Sequence, residues 1–158
     1  MNGKKLKTAF IFVIIAEVAG ATGSIFTASA IPAWYATLQK PAFNPPNFIF
    51  APVWTILYFL MGISAYLIFE KGFAKKEVRF ALLVFALQLI LNVLWSFVFF
   101  VLKSPSLAFL EICFLWVSIL ATIFYFYKIS KPASYLLIPY LLWTTFAAFL
   151  NFTIFWLN

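Results

Sequence analysis

Aromatic rings and prolines are concentrated in one stretch of the chain, residues 34–58 (WYATLQKPAFNPPNFIFAPVWTILY). The stretch holds four of the eight prolines, and its aromatic residues are Trp34, Tyr35, Phe43, Phe48, Phe50, Trp54 and Tyr58. Prolines reduce the entropy that a loop loses on ordering, and aromatic rings give a large contact area from few rotatable bonds. Two interpretations follow. The stretch is either a stiff loop that covers a pocket for an apolar ligand, or an aromatic belt at a membrane surface with prolines that start a helix.

Two further segments carry polar and aromatic residues at helical spacing. On the first, one face holds Gln88, Asn92, Trp95, Ser96 and Phe99. On the second, the residues on or near one face are Tyr140, Trp143, Thr144, Ala147 and Asn151. Amides within a bilayer need hydrogen-bond partners, so these faces either hold neighbouring helices together or form the wall of a pocket. Pro139 is expected to bend the second helix and to free a backbone carbonyl.

The residue types that are missing limit the chemistry further. The chain has no histidine, which is the most common metal ligand and general base and the usual axial ligand of haem. Cys113 is the single cysteine, so an intramolecular disulfide and a multi-cysteine metal site are excluded. Its position between Ile112 and Phe114 predicts a buried structural thiol. We therefore predict no metal site and no conventional set of catalytic side chains.

The composition places the elements that carry these residues in a membrane. Of the 158 residues, 66% are hydrophobic and only 9% are charged, against about 45–50% and about 25% in soluble domains. A spanning helix needs roughly 20 apolar residues, and the chain has room for five such helices. We predict one all-α integral membrane domain over residues 1–158. Its five transmembrane helices are expected at about 6–29, 48–70, 79–102, 105–128 and 132–156, with the 30–47 loop as a lid.

The first predicted helix has features of its own. Lysines in residues 1–7, a long apolar run and the sequence ASA at 28–30 imitate a cleaved signal peptide. The run is too long for one, and Glu17 interrupts it, so a spanning helix is favoured. Small residues recur every four positions, at Ala16, Gly20, Ser24 and Ala28. Such a ridge suits close packing within the bundle or a dimer contact, and the role of Glu17 within the span stays open.

Basic residues are distributed unequally between the two ends of the predicted bundle. Nine of the 11 lie at the end that carries the N-terminus, and only Lys40 and Lys103 lie at the other. The positive-inside rule therefore predicts a cytoplasmic N-terminus, with the 30–47 loop outside. Because these charges stand at the ends of apolar runs, the net charge of +7 marks topology, and no nucleic acid binding is predicted.

The motifs, taken in order, resemble those of one membrane-protein family. They are WY-x₂-L-x-KP at 34–41, PP at 45–46, PVW-x₃-Y at 52–58, Q-x₃-N-x₂-WS-x₂-FF at 88–100, PY-x₂-W-x₂-FA at 139–147 and LN at 150–151. This set resembles the TspO/MBR family, also called translocator proteins or tryptophan-rich sensory proteins, whose animal members are known as the peripheral-type benzodiazepine receptor. The resemblance covers nearly the whole chain.

The resemblance implies a multi-pass protein of a prokaryotic cell membrane, often a homodimer in the lipid bilayer, with a ligand pocket beneath the 30–47 loop. It implies porphyrins such as protoporphyrin IX as ligands, together with benzodiazepine-type compounds and, in animals, cholesterol. No cofactor is required. The family's pocket positions fall on Trp34, Tyr35, Pro45, Trp54, Asn92, Trp143 and Ala147. Tyr58 and Tyr140 add candidate contacts for a polar edge of the ligand.

Two positions depart from the family pattern. Phe43 stands where the family often has tryptophan, so one loop aromatic lacks an indole. Phe152 and Trp156 stand where animal members carry the tyrosine and arginine of a cholesterol motif. Sterol recognition through that motif is therefore not expected, and porphyrin or drug binding is unaffected.

We expect a receptor for flat apolar ligands, with a role in tetrapyrrole handling or stress signalling. Trp54 and Trp143 would pack on the ligand's faces, and the lack of histidine favours a metal-free porphyrin held by stacking. Two alternatives stay open. One is an enzyme that degrades porphyrin in light and oxygen, with Trp34, Trp54 and Trp143 as candidate radical carriers. The other is a transporter of porphyrin or sterol-like molecules, in which Glu17 and Glu111 would serve a proton-coupled route.

Overall fold

The structure, a computed structural model, describes residues 3–158 as an all-α bundle, which confirms the predicted fold class. Five parts of the described chain are long and apolar enough to cross a membrane. The first four are α1 (Gly3–Ala28), α2 (Asn47–Phe69), α3 (Lys76–Ser96) with a π-helical turn at Phe97–Val101, and α4 (Pro105–Ile129). The fifth combines α5 (Lys131–Tyr135) and α6 (Ile138–Leu157).

Prolines stand in the first turns of the last three helices. At the start of α4, Pro105 follows Ser104, whose hydroxyl accepts a hydrogen bond from the Leu107 N–H at 3.4 Å. Pro139 stands in the first turn of α6, because the chain turns at residues 136–137 between α5 and α6. The expected bend in a continuous helix is therefore replaced by a break between two helices. In a first turn, proline's missing N–H leaves no helical hydrogen bond unmade.

The half of the bundle away from the 30–47 loop is filled by apolar side chains. The side chains with no exposed surface there include Met61, Ala65, Ile68, Ala81, Ile119 and Phe126. On α2, Gly62 lies against the backbone of Val13 on α1, so this pair of helices approaches closely. The Ser64 hydroxyl donates to the Ala133 carbonyl at 2.6 Å and ties α2 to α5. This half forms a solid base for the rest of the bundle.

A second, smaller apolar cluster lies under the 30–47 loop. It contains Tyr35, Phe99, Ala108, Leu150 and Ile154. A π-helical turn at Ile31–Tyr35 carries the chain from α1 into the loop, and the π-helical turn that follows α3 carries Phe99. The space between this cluster and the larger core is the cavity described below.

The outer surface of the bundle is apolar, as a lipid environment requires. On α4, Leu110, Phe114 and Val117 are exposed, and Cys113 is exposed beside them. The prediction of a buried structural thiol is therefore wrong. Helical periodicity explains the difference, because position 113 shares the outward face with 110, 114 and 117, whereas an apolar neighbour in sequence says nothing about which way a side chain points in a membrane helix.

Candidate ligand-binding site

A cavity of about 430 Å³ lies beneath the 30–47 loop, which we call the lid. Its lining comes from α1, α2, α3 with its π-helical turn, α6 and the residues at the two ends of the lid. Tyr58 and Glu17 lie toward the solid base, and Tyr35 and Ile154 lie toward the lid. The volume falls within the range of about 300–1,000 Å³ that is usual for small-molecule sites.

The structure brings most of the predicted contacts together around this cavity. Six of the nine line it, namely Tyr35, Trp54, Tyr58, Asn92, Trp143 and Ala147. The three that do not line it are Trp34, Pro45 and Tyr140. Trp34 packs edge-on against Phe99, a lining residue, with ring centroids 5.5 Å apart. Tyr140 packs edge-on against Trp54 at 6.1 Å.

Two tryptophans form separate parts of the wall. Trp54 on α2 stacks on Tyr58 one helical turn away, with centroids 5.5 Å apart and planes at 29°. Trp143 on α6 packs edge-on against Phe50, with centroids 6.0 Å apart and planes at 69°. Each indole is thus held by another ring, which restricts the rotamers that it can adopt. The arrangement offers preformed aromatic surfaces on both α2 and α6.

A chain of hydrogen bonds joins three helices beside these rings. The Tyr58 hydroxyl on α2 donates to Oδ1 of Asn92 on α3. Asn92 Nδ2 donates to the Tyr140 hydroxyl on α6 at 2.9 Å. Asn92 is only 4% exposed. An amide nitrogen carries two hydrogens and one goes to Tyr140, so the second N–H of Asn92 has no acceptor among residues 3–158.

A second polar pair in the lining was not among the predicted ligand contacts. Trp95 Nε1 donates to Asn151 Oδ1 at 3.0 Å, and Asn151 Nδ2 donates to the Pro105 carbonyl at 2.8 Å. Both Trp95 and Asn151 line the cavity. Helical spacing placed Trp95 on the face of Asn92 and Asn151 on the face of Trp143. Both residues belong to the motifs that carry the resemblance, but neither was among the pocket positions that the resemblance implied. Phe50, Ser96, Phe99 and Phe100 also line the cavity.

The lid is tied to itself near its entry from α1. The Tyr35 hydroxyl donates to Asn44 Oδ1 at 2.8 Å, and Asn44 Nδ2 donates to the Pro45 carbonyl at 3.1 Å. Lys40 Nζ lies 4.8 Å from the centre of the Tyr35 ring. Burial raises the pKa of Tyr35 above its ordinary value.

Small residues of α1 form one wall, which the sequence indicated only as a packing ridge. A Cβ at Gly20 would collide with the Tyr58 ring, and a Cβ at Gly23 would lie 3.2 Å from the Ser96 hydroxyl. Ala21 and Ser24 on α1, and Ala51 and Thr55 on α2, line the cavity and are exposed. The exposure of these four lining residues indicates that the cavity is open between α1 and α2.

The two intramembrane carboxylates occupy different places. Glu17 lines the cavity and is partly buried. Glu111 on α4 is buried outside the lining, and neither of its oxygens has a hydrogen-bond partner among residues 3–158. Gln88 is also outside the lining, with its amide nitrogen 4.0 Å from the Met61 sulfur. Within residues 3–158, no group of three or more histidine, cysteine, aspartate or glutamate side chains could hold a metal ion.

Comparison with known proteins gives consistent results over the whole bundle. The profile of the TspO/MBR family matches residues 12–157. The tryptophan-rich protein TspO of Archaeoglobus fulgidus is 45% identical over 158 residues, which is 100% of this chain and 99% of that protein. The tryptophan-rich protein TspO of Chlorobaculum tepidum is 43% identical over 98% of each chain. The translocator protein of Bos taurus is 37% identical over 89% of this chain and 84% of its own length.

Proposed function

The chain belongs to the TspO/MBR family, and from that premise we propose that it is a membrane receptor for porphyrins such as protoporphyrin IX. The observation that carries the proposal is the cavity beneath the lid, in which Trp54 and Trp143 present ring surfaces beside the amide of Asn92. A flat apolar molecule with a polar edge has complementary features. We further propose a role in tetrapyrrole handling or stress signalling.

The two indoles supply the attraction for the faces of the ligand. Aromatic pairs contribute about 0.5–1.5 kcal/mol beyond the burial of their area. Both rings are already fixed by Tyr58 and Phe50, so little side-chain entropy is lost when a ligand packs on them. The free N–H of Asn92 would meet an acceptor at the ligand's polar edge.

The side opening allows a ligand larger than the enclosed space. Ala21, Ser24, Ala51 and Thr55 are exposed residues of the lining, and we propose that the cavity opens to the lipid between α1 and α2 at these residues. A macrocycle in the cavity would extend into this opening, where its apolar periphery would contact lipid at no hydrophobic cost. Since the chain has no histidine, we propose stacking, and not axial ligation through imidazole, as the mode of holding.

The two alternatives are affected differently by the site. Of the three candidate radical carriers for photo-oxidative degradation, Trp54 and Trp143 line the cavity, whereas Trp34 lies behind Phe99. For proton-coupled transport, Glu17 lines the cavity and Glu111 does not. Neither alternative gains a specific supporting contact, so receptor function is the proposal that we favour.

The test is a titration of the purified protein with protoporphyrin IX in the dark, followed by the absorbance and fluorescence of the porphyrin. We expect saturable binding that Trp143→Phe weakens about two- to tenfold, because a smaller ring replaces the indole. Trp156→Phe is the matched control, since Trp156 is 77% exposed and lies outside the lining. Absence of saturable binding, or equal loss in both variants, would contradict the proposal. Loss of the porphyrin bands under illumination would instead favour the enzyme.

The orientation that we propose has the lid outside the cell and the start of α1 in the cytoplasm of a prokaryotic cell. It rests on the nine basic residues at one end of the bundle against Lys40 and Lys103 at the other. A single cysteine introduced in the lid should react with an impermeant maleimide in intact cells, and one introduced in the 70–75 turn should not.

A further inference from the structure

The far end of α6 reaches back to the lid through one side chain. The Gln39 N–H donates to Asn158 Oδ1 at 3.0 Å, and Asn158 Nδ2 donates to the Gln39 carbonyl at 3.1 Å. A single amide thus pairs with both backbone groups of one lid residue, 119 positions away in sequence. Asn158 does not line the cavity, so these bonds act on the lid and not on a ligand.

The same amide also ends α6. Asn158 Nδ2 donates its second hydrogen to the Ile154 carbonyl at 2.9 Å, which satisfies one of the free carbonyls of the last turn. Asn158 therefore couples the lid to the helix that carries Trp143, Asn151 and Ile154 into the lining. Both N–H groups and the carbonyl oxygen of the Asn158 side chain therefore have partners.

The middle of the lid also packs on α6. The Phe43 ring stacks on Phe149 with centroids 5.4 Å apart and planes at 23°, and lies 6.4 Å from the Phe146 ring. Leu38 packs against the apolar cluster that contains Ile154. The lid segment 36–46 thus leaves α1, crosses to α6 and returns to α2, and its outermost part is held on α6.

We propose that Asn158 is a positioning residue that latches the lid segment 36–46 closed over the cavity and thereby sets the rate of ligand exchange. The proposed control of ligand exchange rests on the proposed function of the cavity. The latch between Asn158 and the lid does not depend on that function. If ligand exchange requires the lid to open, loss of the latch raises the population of the open state. Association and dissociation then accelerate by the same factor, and the dissociation constant changes little.

The first experiment measures the latch without any ligand. Hydrogen exchange followed by mass spectrometry compares the wild-type protein with Asn158→Ala and with Asn158→Asp, which keeps an acceptor for the Gln39 N–H but loses both donated bonds. We expect exchange in the lid peptide 36–46 to accelerate about tenfold in Asn158→Ala, which is equivalent to about 1.4 kcal/mol. Thr153→Ala is the control, because the Thr153 hydroxyl donates only to the Phe149 carbonyl within α6.

An increase confined to the last turn of α6 would overturn the latch and leave Asn158 as a helix cap. Stopped-flow mixing with protoporphyrin IX in the dark then gives both rate constants, and we expect both to rise about tenfold with the dissociation constant within about twofold of wild type. If hydrogen exchange in the lid is faster but the rate constants of porphyrin binding are unchanged, the lid does not control ligand exchange. The ligand would then enter and leave through the opening between α1 and α2. If the wild-type protein binds no porphyrin, the proposed function fails, and hydrogen exchange still decides the latch.

Discussion

Removing the amide of Asn92 should destabilise the bundle more than removing any one hydroxyl that it contacts. Asn92→Ala deletes the bond from Tyr58 and the bond to Tyr140, and leaves both buried hydroxyls without this partner. Interhelical hydrogen bonds in membrane proteins contribute about 0.6 kcal/mol on average and up to about 1.7 kcal/mol. Two such bonds give an expected loss of about 1–3 kcal/mol, whereas Tyr58→Phe should cost about half of that.

A double-mutant cycle isolates the bond between Tyr58 and Asn92. If the bond forms, Tyr58→Phe combined with Asn92→Ala should cost less than the sum of the single changes, by about 0.6–1.7 kcal/mol. The assay is unfolding in mixed micelles by titration with a denaturing detergent, followed by circular dichroism. Tyr135→Phe combined with Asn92→Ala is the control cycle, because Tyr135 is 55% exposed on the short helix α5.

The size of the coupling energy in the double-mutant cycle shows whether Tyr58 and Asn92 interact. Independent sites add to within about 0.3–0.5 kcal/mol, so a coupling no larger than that of the control cycle would refute the bond between Tyr58 and Asn92. A stability of Asn92→Ala equal to that of wild type would refute the whole three-helix chain. Asn92 and Tyr58 both line the cavity, but Asn92→Ala removes the amide proposed to meet the ligand's polar edge, whereas Tyr58→Phe keeps the ring. Asn92→Ala should therefore bind protoporphyrin IX less tightly than Tyr58→Phe does.

Three further predictions test other parts of the structure. Gly20→Ala should destabilise the protein by about 1–3 kcal/mol, because the added Cβ would displace the Tyr58 ring. Gly3→Ala is the control in the same unfolding assay and should be neutral or slightly stabilising, because no atom lies within 4 Å of a Cβ at that position. A nitroxide attached to Cys113 should collide more often with oxygen dissolved in lipid than with a water-soluble nickel chelate, and the reverse would show that Cys113 does not face lipid. Burial raises the pKa of Tyr35, so the fold favours the neutral phenol. The contribution of Tyr35 to stability should be complete below its ordinary pKa of about 10 and should be lost as the pH rises through the raised pKa. Tyr35→Phe should therefore show a smaller fall in the free energy of unfolding than wild type between about pH 9 and 11.5.

The five helices could be predicted because each depends on local composition alone. An apolar run of about 20 residues must satisfy its backbone internally in a bilayer, and a helix does so. The break at residues 136–137 was harder to predict. Pro139 is compatible both with a bend and with a new first turn, and contacts such as the bond from Ser64 to the Ala133 carbonyl accompany the second outcome. The sequence around Pro139 does not reveal the contact between α2 and α5, so it could not predict which of the two would form.

The site was predictable to the extent that it lies on single helix faces. Asn92 and Trp143 were identified from residues at helical spacing and from the resemblance, and the structure places both in the lining. The α1 wall was not predicted, because Gly20 and Gly23 contribute space and not functional groups. Their effect depends on the Tyr58 and Ser96 side chains opposite them, and pairing of facing residues across two helices depends on how each helix is rotated.

The position of the lid also depends on residues that lie far away in the sequence. Its prolines and aromatic rings predict a stiff segment, but stiffness does not determine where the segment rests. That position depends on Phe149 on α6 and on Asn158 directly after that helix, both more than 100 residues beyond the lid. An asparagine after the last turn of a helix would ordinarily be interpreted as a cap, and here it is one. The remaining hydrogen and the oxygen of the same amide hold Gln39, so a residue with an ordinary local explanation also carries a long-range contact. Because the cap requires one N–H and the latch requires the other N–H and the oxygen, Asn158→Asp and Asn158→Ala should both accelerate hydrogen exchange in the lid segment 36–46, while Thr153→Ala should leave it unchanged.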